Sequence, residues 1–298
     1  METQPSPEKL VASLIRLLDV EQTGEDLFRG RKKKDGVGRV FGGQVIAQAL
    51  MAAEKTVAPD RAAHSLHAYF LRGGSEGFEV DYQIDRQFDG GSFSNRRVVA
   101  SQAGRPILNV TASFQRPEDG LHHQAGQLPD VPMPGDLPDE AETRAEMASK
   151  LPEDKAAWFL RPRPIETLAV EGRHWNNDQP APPVSHSWIR AAAALPDDPR
   201  IHRAVLAYAS DMQLLGTSML PHGLSWARDE IVGASLDHTI WFHEPFRADE
   251  WMLYQSDSPW TGHGRGFNRG SIYSVDGRLI ASVAQEGMVR RVKRASAD

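Results

Sequence analysis

The 298-residue chain carries 34 basic and 40 acidic side chains, a net charge of −6, so no global positive field favours nucleic acid or an anionic membrane surface. It has no cysteine, which excludes a disulfide framework, thiol catalysis and thiolate metal sites together. Its 40% hydrophobic and 25% charged content fits a soluble globular protein of about two domain-sized units.

Residues 1–9 are polar and lack an apolar signal core, and no apolar run approaches bilayer length. Cytoplasmic placement without a membrane partner is the resulting expectation. Leu10 to Leu18 has the spacing of a short amphipathic helix. The basic cluster Arg29 to Lys34 reads either as a solvated turn or as a contact for an anionic ligand. Gly42-Gly43 opens a second helix, with Val45, Ile46, Ala49, Leu50 and Ala53 along one side. Four strands are predicted next: Ala63 to Leu71, Gly77 to Arg86, Ser92 to Gln102 and Arg105 to Phe114. In the last of these, Leu108, Val110, Ala112 and Phe114 alternate with Asn109, Thr111 and Ser113, so one face needs a cover, and the preceding helix is available.

Residues 116–184 hold 11 of the 20 prolines and an acidic helical stretch from Asp139 to Ala157, and read as a connector; Trp158, Phe159 and Trp175 are expected to pack it on the body. The pattern then repeats. A helix over Ile201 to Met219 has a stripe through Val205, Tyr208, Met212, Leu215 and Met219. Strands follow at Ala234 to His243, Trp251 to Ser256, Gly264 to Ser274 and Arg278 to Glu286. Asn95-Arg96 and Asn268-Arg269 lie 173 apart, as do Ile107 and Ile280, and His64-Ser65-Leu66 has a counterpart in His238-Thr239-Ile240 at 174. Such self-similarity means two copies of one unit. The expected fold is therefore α+β, a double hotdog: an N-terminal unit over 1–115, a Pro-rich linker over 116–184 and a C-terminal unit over 185–298. Apolar residues around Trp188, Trp226 and Trp260 suggest self-association as a homodimer or homotetramer.

Function is sought where the copies differ. At offset 173, Gln285 stands where the first copy has Ala112, on the face that meets the helix, where an unpaired amide costs about 1–3 kcal/mol. Ser235 stands where the first copy offers Ala62 or Arg61. Asp211 borders the second helix's apolar stripe, where desolvation makes a carboxylate a better base. Each alone has a bland reading: a structural Gln, a solvated Asp, an incidental Ser. Together they offer a carboxylate, a hydroxyl and an amide, from the second copy only.

The segments Val40-Phe41-Gly42-Gly43-Gln44-Val45, Tyr208-Ala209-Ser210-Asp211, Leu236 to His243 and Ala284-Gln285-Glu286-Gly287 closely resemble the acyl-CoA thioesterase II family, from about Asp26 to Arg290 and weakly in the connector. The resemblance implies hydrolysis of acyl-CoA to free acid and CoA, without a cofactor, by a catalytic set carried over as Asp211, Ser235 and Gln285. Gly42, Gly43, Gln44 and His64 are the substrate-binding candidates. The C-terminal Ala295-Ser296-Ala297-Asp298 is not a Ser-Lys-Leu address, unlike the peroxisomal members. In the expected chemistry Asp211 accepts a proton from a water held by Ser235 and Gln285, with backbone N–H groups near Gly42-Gly43 meeting the oxyanion.

Other classes fit less well. Gly233-Ala234-Ser235-Leu236-Asp237 falls one residue short of a nucleophile elbow, although a serine acyl-enzyme route through His238 stays open. His64 with His67, His122-His123, and His238 with His243 lack further ligands at metal spacing. Gly264-Arg265-Gly266 is a turn without dinucleotide-binding spacing. An enoyl-CoA hydratase, needing Asp and His poised together, and a silent acyl-CoA-binding module are the functional rivals.

Overall fold

The computed structural model describes residues 5–33, 36–151, 153–171, 179–224 and 231–292. Lys34 of the basic cluster, Trp175 and Trp226 lie outside the described residues, as does the side chain of Trp158. In chain order the elements are α1 (Pro7–Leu18), β1 (Val20–Gly24), β2 (Leu27–Gly30), α2 (Gly42–Glu54), β3 (Ala62–Phe70), β4 (Val80–Asp89), β5 (Phe93–Gln102) and β6 (Arg105–Gln115). After the first unit come α3 (Glu140–Ala148), α4 (Glu153–Phe159), β7 (Ile165–Ala169) and β8 (Val184–Ala191). Then follow α5 (Pro199–Ser210), a 3₁₀ helix over Leu214–His222, β9 (Ile231–Ser235), β10 (Asp237–Phe242), β11 (Met252–Gly262), β12 (Arg265–Ser274) and β13 (Leu279–Arg291).

The strands form one 13-stranded sheet in the order β1-β2-β4-β5-β6-β3-β10-β13-β12-β11-β8-β7, with β9 pairing β13 beside β10. All the recorded pairings are antiparallel, and the two units join where β3 meets β10, Leu66 opposite Ile240. This is the double hotdog that the element order implied. The predicted alternation holds in β6: Leu108, Val110, Ala112 and Phe114 are buried while Thr111 is exposed. Helix α2 is buried on nearly every side, because Ala47, Ala49, Ala52 and Ala53 let it sit between the sheet and α5. One apolar cluster runs through both units, from Val11, Ile46, Leu50 and Leu66 to Leu206, Ile240, Ile272 and Val283.

Several expectations change. The β1–β2 hairpin was not anticipated; its strands are short and alternate only weakly. Part of 116–184 is built into the second unit, since β7 pairs with β8 as the far edge of the sheet. Phe159 is buried as expected. Trp188, expected near an exposed apolar surface, is wholly buried against Leu253 and Tyr273, and its indole donates to the Pro132 carbonyl at 2.9 Å. The basic cluster is partly neutralised, with Arg29 paired to Asp81 and Glu79 and Lys33 to Glu76.

The single helix predicted over Ile201 to Met219 ends at Ser210. A 3₁₀ segment replaces its second half and lies directly on the sheet. Gly287 of β13 permits that approach, because a Cβ there would collide with Leu215.

The repeat also has a finer register than sequence identity shows. Across β6 and β13 the offset of 173 preserves sidedness: Ala112 and Gln285 are both fully buried. In the neighbouring strands the shared Asn-Arg pair is misleading. Arg96 is paired with Ala112 and Asn268 with Gln285, so Arg96, not Asn95, occupies the place of Asn268. The connecting turn is longer in the second unit (275–278 against 103–104), and a one-residue slip turns a strand's side chains to the other face. The buried Arg96 guanidinium is bound by Thr56 and Asp89; Arg269 is exposed and pairs with Asp257.

A core shared across the β3–β10 seam should melt as one unit. Leu66→Ala is expected to cost about 2–5 kcal/mol and to lower a single calorimetric transition; two resolved transitions would show independent halves.

Candidate functional site

Asp211 is the residue at which α5 ends, and the start of α2 abuts it. The close approach depends on two glycines. A Cβ at Gly42 would lie 2.7 Å from Asp211 Oδ2 and 2.8 Å from Phe70 Cζ, and one at Gly43 would lie 2.5 Å from the Tyr208 carbonyl oxygen. The Gly43 N–H donates to the Asp211 carboxylate. An anion at the α2 N-terminus is favoured by the helix dipole, which offsets part of its burial.

From the sheet, β13 brings Gln285, whose Nε2 donates to Asp211 Oδ1 at 2.6 Å. β9 brings Ser235, whose hydroxyl donates to the same oxygen at 3.3 Å. The three residues selected from the sequence therefore meet at one carboxylate. The Asp211 side chain is only 4% exposed. Burial pushes its pKa up to about 6, against the lowering effect of the Gln285, Gly43 and Ser235 donors.

The register explains why only the second unit is equipped. Ser235 lies opposite Gly287, as Ala63 lies opposite Phe114, and Phe114 and Gly287 differ by 173. The counterpart of Ser235 is thus Ala63, not Ala62 or Arg61, and it still lacks a hydroxyl. Extending the β10–β13 ladder by one step sets His238 across from Gln285, where the first unit sets Leu66 across from Ala112. His238 therefore corresponds to Leu66 and not to His64.

The remaining candidates divide. Gly42 and Gly43 form the wall of the site, and Gln44, the next residue of α2, is buried. His64 is not brought there. A β-bulge between Ala63 and Ser65 turns it to the outer sheet face, where its Nε2 lies 2.8 Å from Ser113 Oγ and its ring meets Phe93 edge-on. In the second unit His243 makes a similar His–Ser contact with Ser282 at 2.9 Å, at a different point of the ladder.

His238 is the residue that sequence reasoning passed over in this role. It is wholly buried, with Nδ1 3.1 Å from Gln285 Nε2 and Nε2 3.0 Å from Ser210 Oγ. Burial pushes its pKa down to about 3. Both ring nitrogens are engaged, by Gln285 and Ser210, while the Ser235 hydroxyl bonds Asp211, so the ring is not placed as the base of a serine nucleophile. Its Nδ1 is 3.9 Å from Asp211 Oδ1. Tyr254 of β11 closes the rear, donating to the Ser210 carbonyl at 3.0 Å. No group of three or more potential metal-binding side chains occurs among the described residues.

A family model described as acyl-CoA thioesterase matches residues 154–288, and one described as acyl-CoA thioesterase N-terminal domain matches 31–115. Acyl-coenzyme A thioesterase 8 of Homo sapiens is 40% identical over 282 residues, covering 92% of this chain and 88% of the relative. Acyl-CoA thioesterase 2 of Haemophilus influenzae is 38% identical over 281 residues, covering 94% and 98%. The crystal structure of acyl-CoA thioesterase II TesB2 from Mycobacterium marinum matches with a TM-score of 0.76 at 36% identity, covering 95% of this chain and 99% of that one. A hotdog-fold protein from Alicyclobacillus acidocaldarius, 19% identical with a TM-score of 0.73, shares the architecture. With two separate family matches, one in each half, and relatives near 40% identity along almost its whole length, the chain belongs to the acyl-CoA thioesterase II family of thioester hydrolases.

Proposed function

We propose that the protein hydrolyses fatty acyl-CoA to free acid and CoA by direct attack of water, with Asp211 as general base. The observation that carries this reading is the buried carboxylate, held by Gln285, Ser235 and Gly43 and raised to about 6. A thioester has a good leaving group, since a thiol titrates near 8.5. The reaction therefore asks mainly for an oriented, partly deprotonated water. Gln285 Nε2 spends both hydrogens on Asp211 and His238, so its part is to hold the base. Ser235 is half-buried, and its long bond to Asp211 is the one a water exchanges most readily. Gly42, Gly43 and Gln44 place the positive end of α2 beside the reacting carbonyl, where it stabilises an oxyanion.

The same proposal places the enzyme in the cytoplasm as a homodimer or homotetramer. No helix among the described residues is long and apolar enough to cross a membrane. Trp241 and Trp260 stay partly exposed, as does Tyr69 beside the β3–β10 seam.

Incubation with an acyl-CoA panel and a thiol reagent should release free CoA. Saturable binding without CoA release would instead establish a silent module, and a hydroxyacyl product a hydratase.

Asp211→Asn should lower turnover at least ~100-fold while the protein remains folded. An acid at about 6 that titrates at 3.8 when unfolded binds more protons in the native state, so its ionisation costs stability as pH rises through that interval. At pH 8 that cost is about 3 kcal/mol, and the Asn variant should melt no lower than the parent. Near-parental hydrolysis by this variant would refute the base assignment.

The deprotonated form is the active one, so kcat/KM should fall tenfold per pH unit below about 6. A flat profile between pH 5 and 8 contradicts this.

A further inference from the structure

The geometry points to His238 as a positioning residue for the hydrolysis: it fixes which way the Gln285 amide faces, and through Gln285 it holds the Asp211 carboxylate. The inference rests on the reading of Asp211 as base.

Gln285 Nε2 has two hydrogens and meets two acceptors, Asp211 Oδ1 at 2.6 Å and His238 Nδ1 at 3.1 Å. An accepting Nδ1 carries no proton, so the ring's single hydrogen is on Nε2 and is donated to Ser210 Oγ at 3.0 Å. Ser210 passes its own hydrogen to the Ala207 carbonyl at 3.1 Å, which ends the chain on the backbone of α5. Every donor has one acceptor and the order has one direction. Turned over, the Gln285 amide would set its oxygen against both a carboxylate oxygen and an imidazole lone pair.

The first unit supplies the contrast. Where β6 carries Ala112 and no amide needs holding, the facing position is the core residue Leu66, wholly buried like His238. Putting an imidazole at a core position desolvates two polar atoms, and both are matched here by the groups that order Gln285. Burial keeps the ring neutral, so the lone pair persists throughout the working range. Among the described residues, two titratable groups face Asp211: His238 from β10 and Tyr254 from β11. α2, β9 and β13 bring the Gly43 amide, Ser235 and Gln285.

The test uses full-length His238→Leu, His238→Asn and Ser210→Ala, assayed for kcat, KM and the pH dependence of kcat, with thermal melting as the folding control. His238→Leu removes the acceptor and should lower kcat about 10- to 100-fold with KM roughly unchanged. Its acid limb should move above the parental position, because the Gln285 donor is no longer held in place against Asp211 and lowers its pKa less. His238→Asn, whose Oδ1 sits where Nδ1 was, should recover most of the turnover and the parental limb. Ser210→Ala frees the ring to adopt the other tautomer, which turns N–H against N–H at Gln285, and should shift kcat and the limb in the same direction as His238→Leu.

Parental kcat and limb in a folded His238→Leu protein would overturn the assignment. Equal losses in the Leu and Asn variants with the limb unmoved would do so too, since that pattern belongs to packing alone. Should the Leu variant fail to fold, Ser210→Ala with parental turnover and limb overturns it. Failure of the underlying reading is seen separately, as hydrolysis retained by Asp211→Asn.

Discussion

The structure turns on a carboxylate that must stay ionisable inside the protein. Asp211 is removed from water at the end of α5, an unfavourable place for an anion because the carbonyl end of a helix is negative. It is kept there by donors from three directions: the Gly43 amide at the start of α2, the amide of Gln285 and the hydroxyl of Ser235. None of these is near Asp211 along the chain except through the fold. The glycines at 42 and 43 let one helix start touch another helix's end, and the shared core under α2 and α5 holds that contact in place.

The double architecture thereby acquires a division of labour. The first unit lends the N-terminus of α2 but fills the positions equivalent to the site with Ala63, Leu66 and Ala112. The second unit places Ser235, His238 and Gln285 at the same points of the ladder. Three apolar-to-polar exchanges convert a packed helix–sheet contact into a hydrogen-bonded one. The exchange also leaves buried carbonyl oxygens on Gln285 and on its cross-strand neighbour Asn268 without partners among the described residues. Unpaired buried groups cost about 1–3 kcal/mol each, a cost that packing alone gives no reason to keep. Strain of this kind is characteristic of working sites.

Much of this was legible in the residue order. Strand alternation in β6 and β13 placed Ala112 and Gln285 on the buried face, because a period of two follows from the pleat and needs no knowledge of neighbours. The repeat implied two units, and the contrast between them singled out Gln285, Ser235 and Asp211 together. Identity misled where register had slipped. The Asn-Arg pairs at 95 and 268 face opposite ways, and the match of His64 with His238 joined an outer-face residue to a buried one. Had the strands been aligned by burial instead of by letters, Leu66 would have met His238 and drawn attention to it.

The linear chain by itself determined the class of fold, the doubling, the family and the types of group available for chemistry, since these depend on periodicity and on side-chain identity. Only the tertiary structure decided that α5 stops at Ser210, that Trp188 is interior, that His64 faces outward, and that an imidazole and a serine hydroxyl stand behind Gln285. The reason is physical. Bulges, turn lengths and close helix contacts depend on what lies across a strand pair or against a helix end, and those neighbours, tens of residues away in sequence, exist only once the chain has folded.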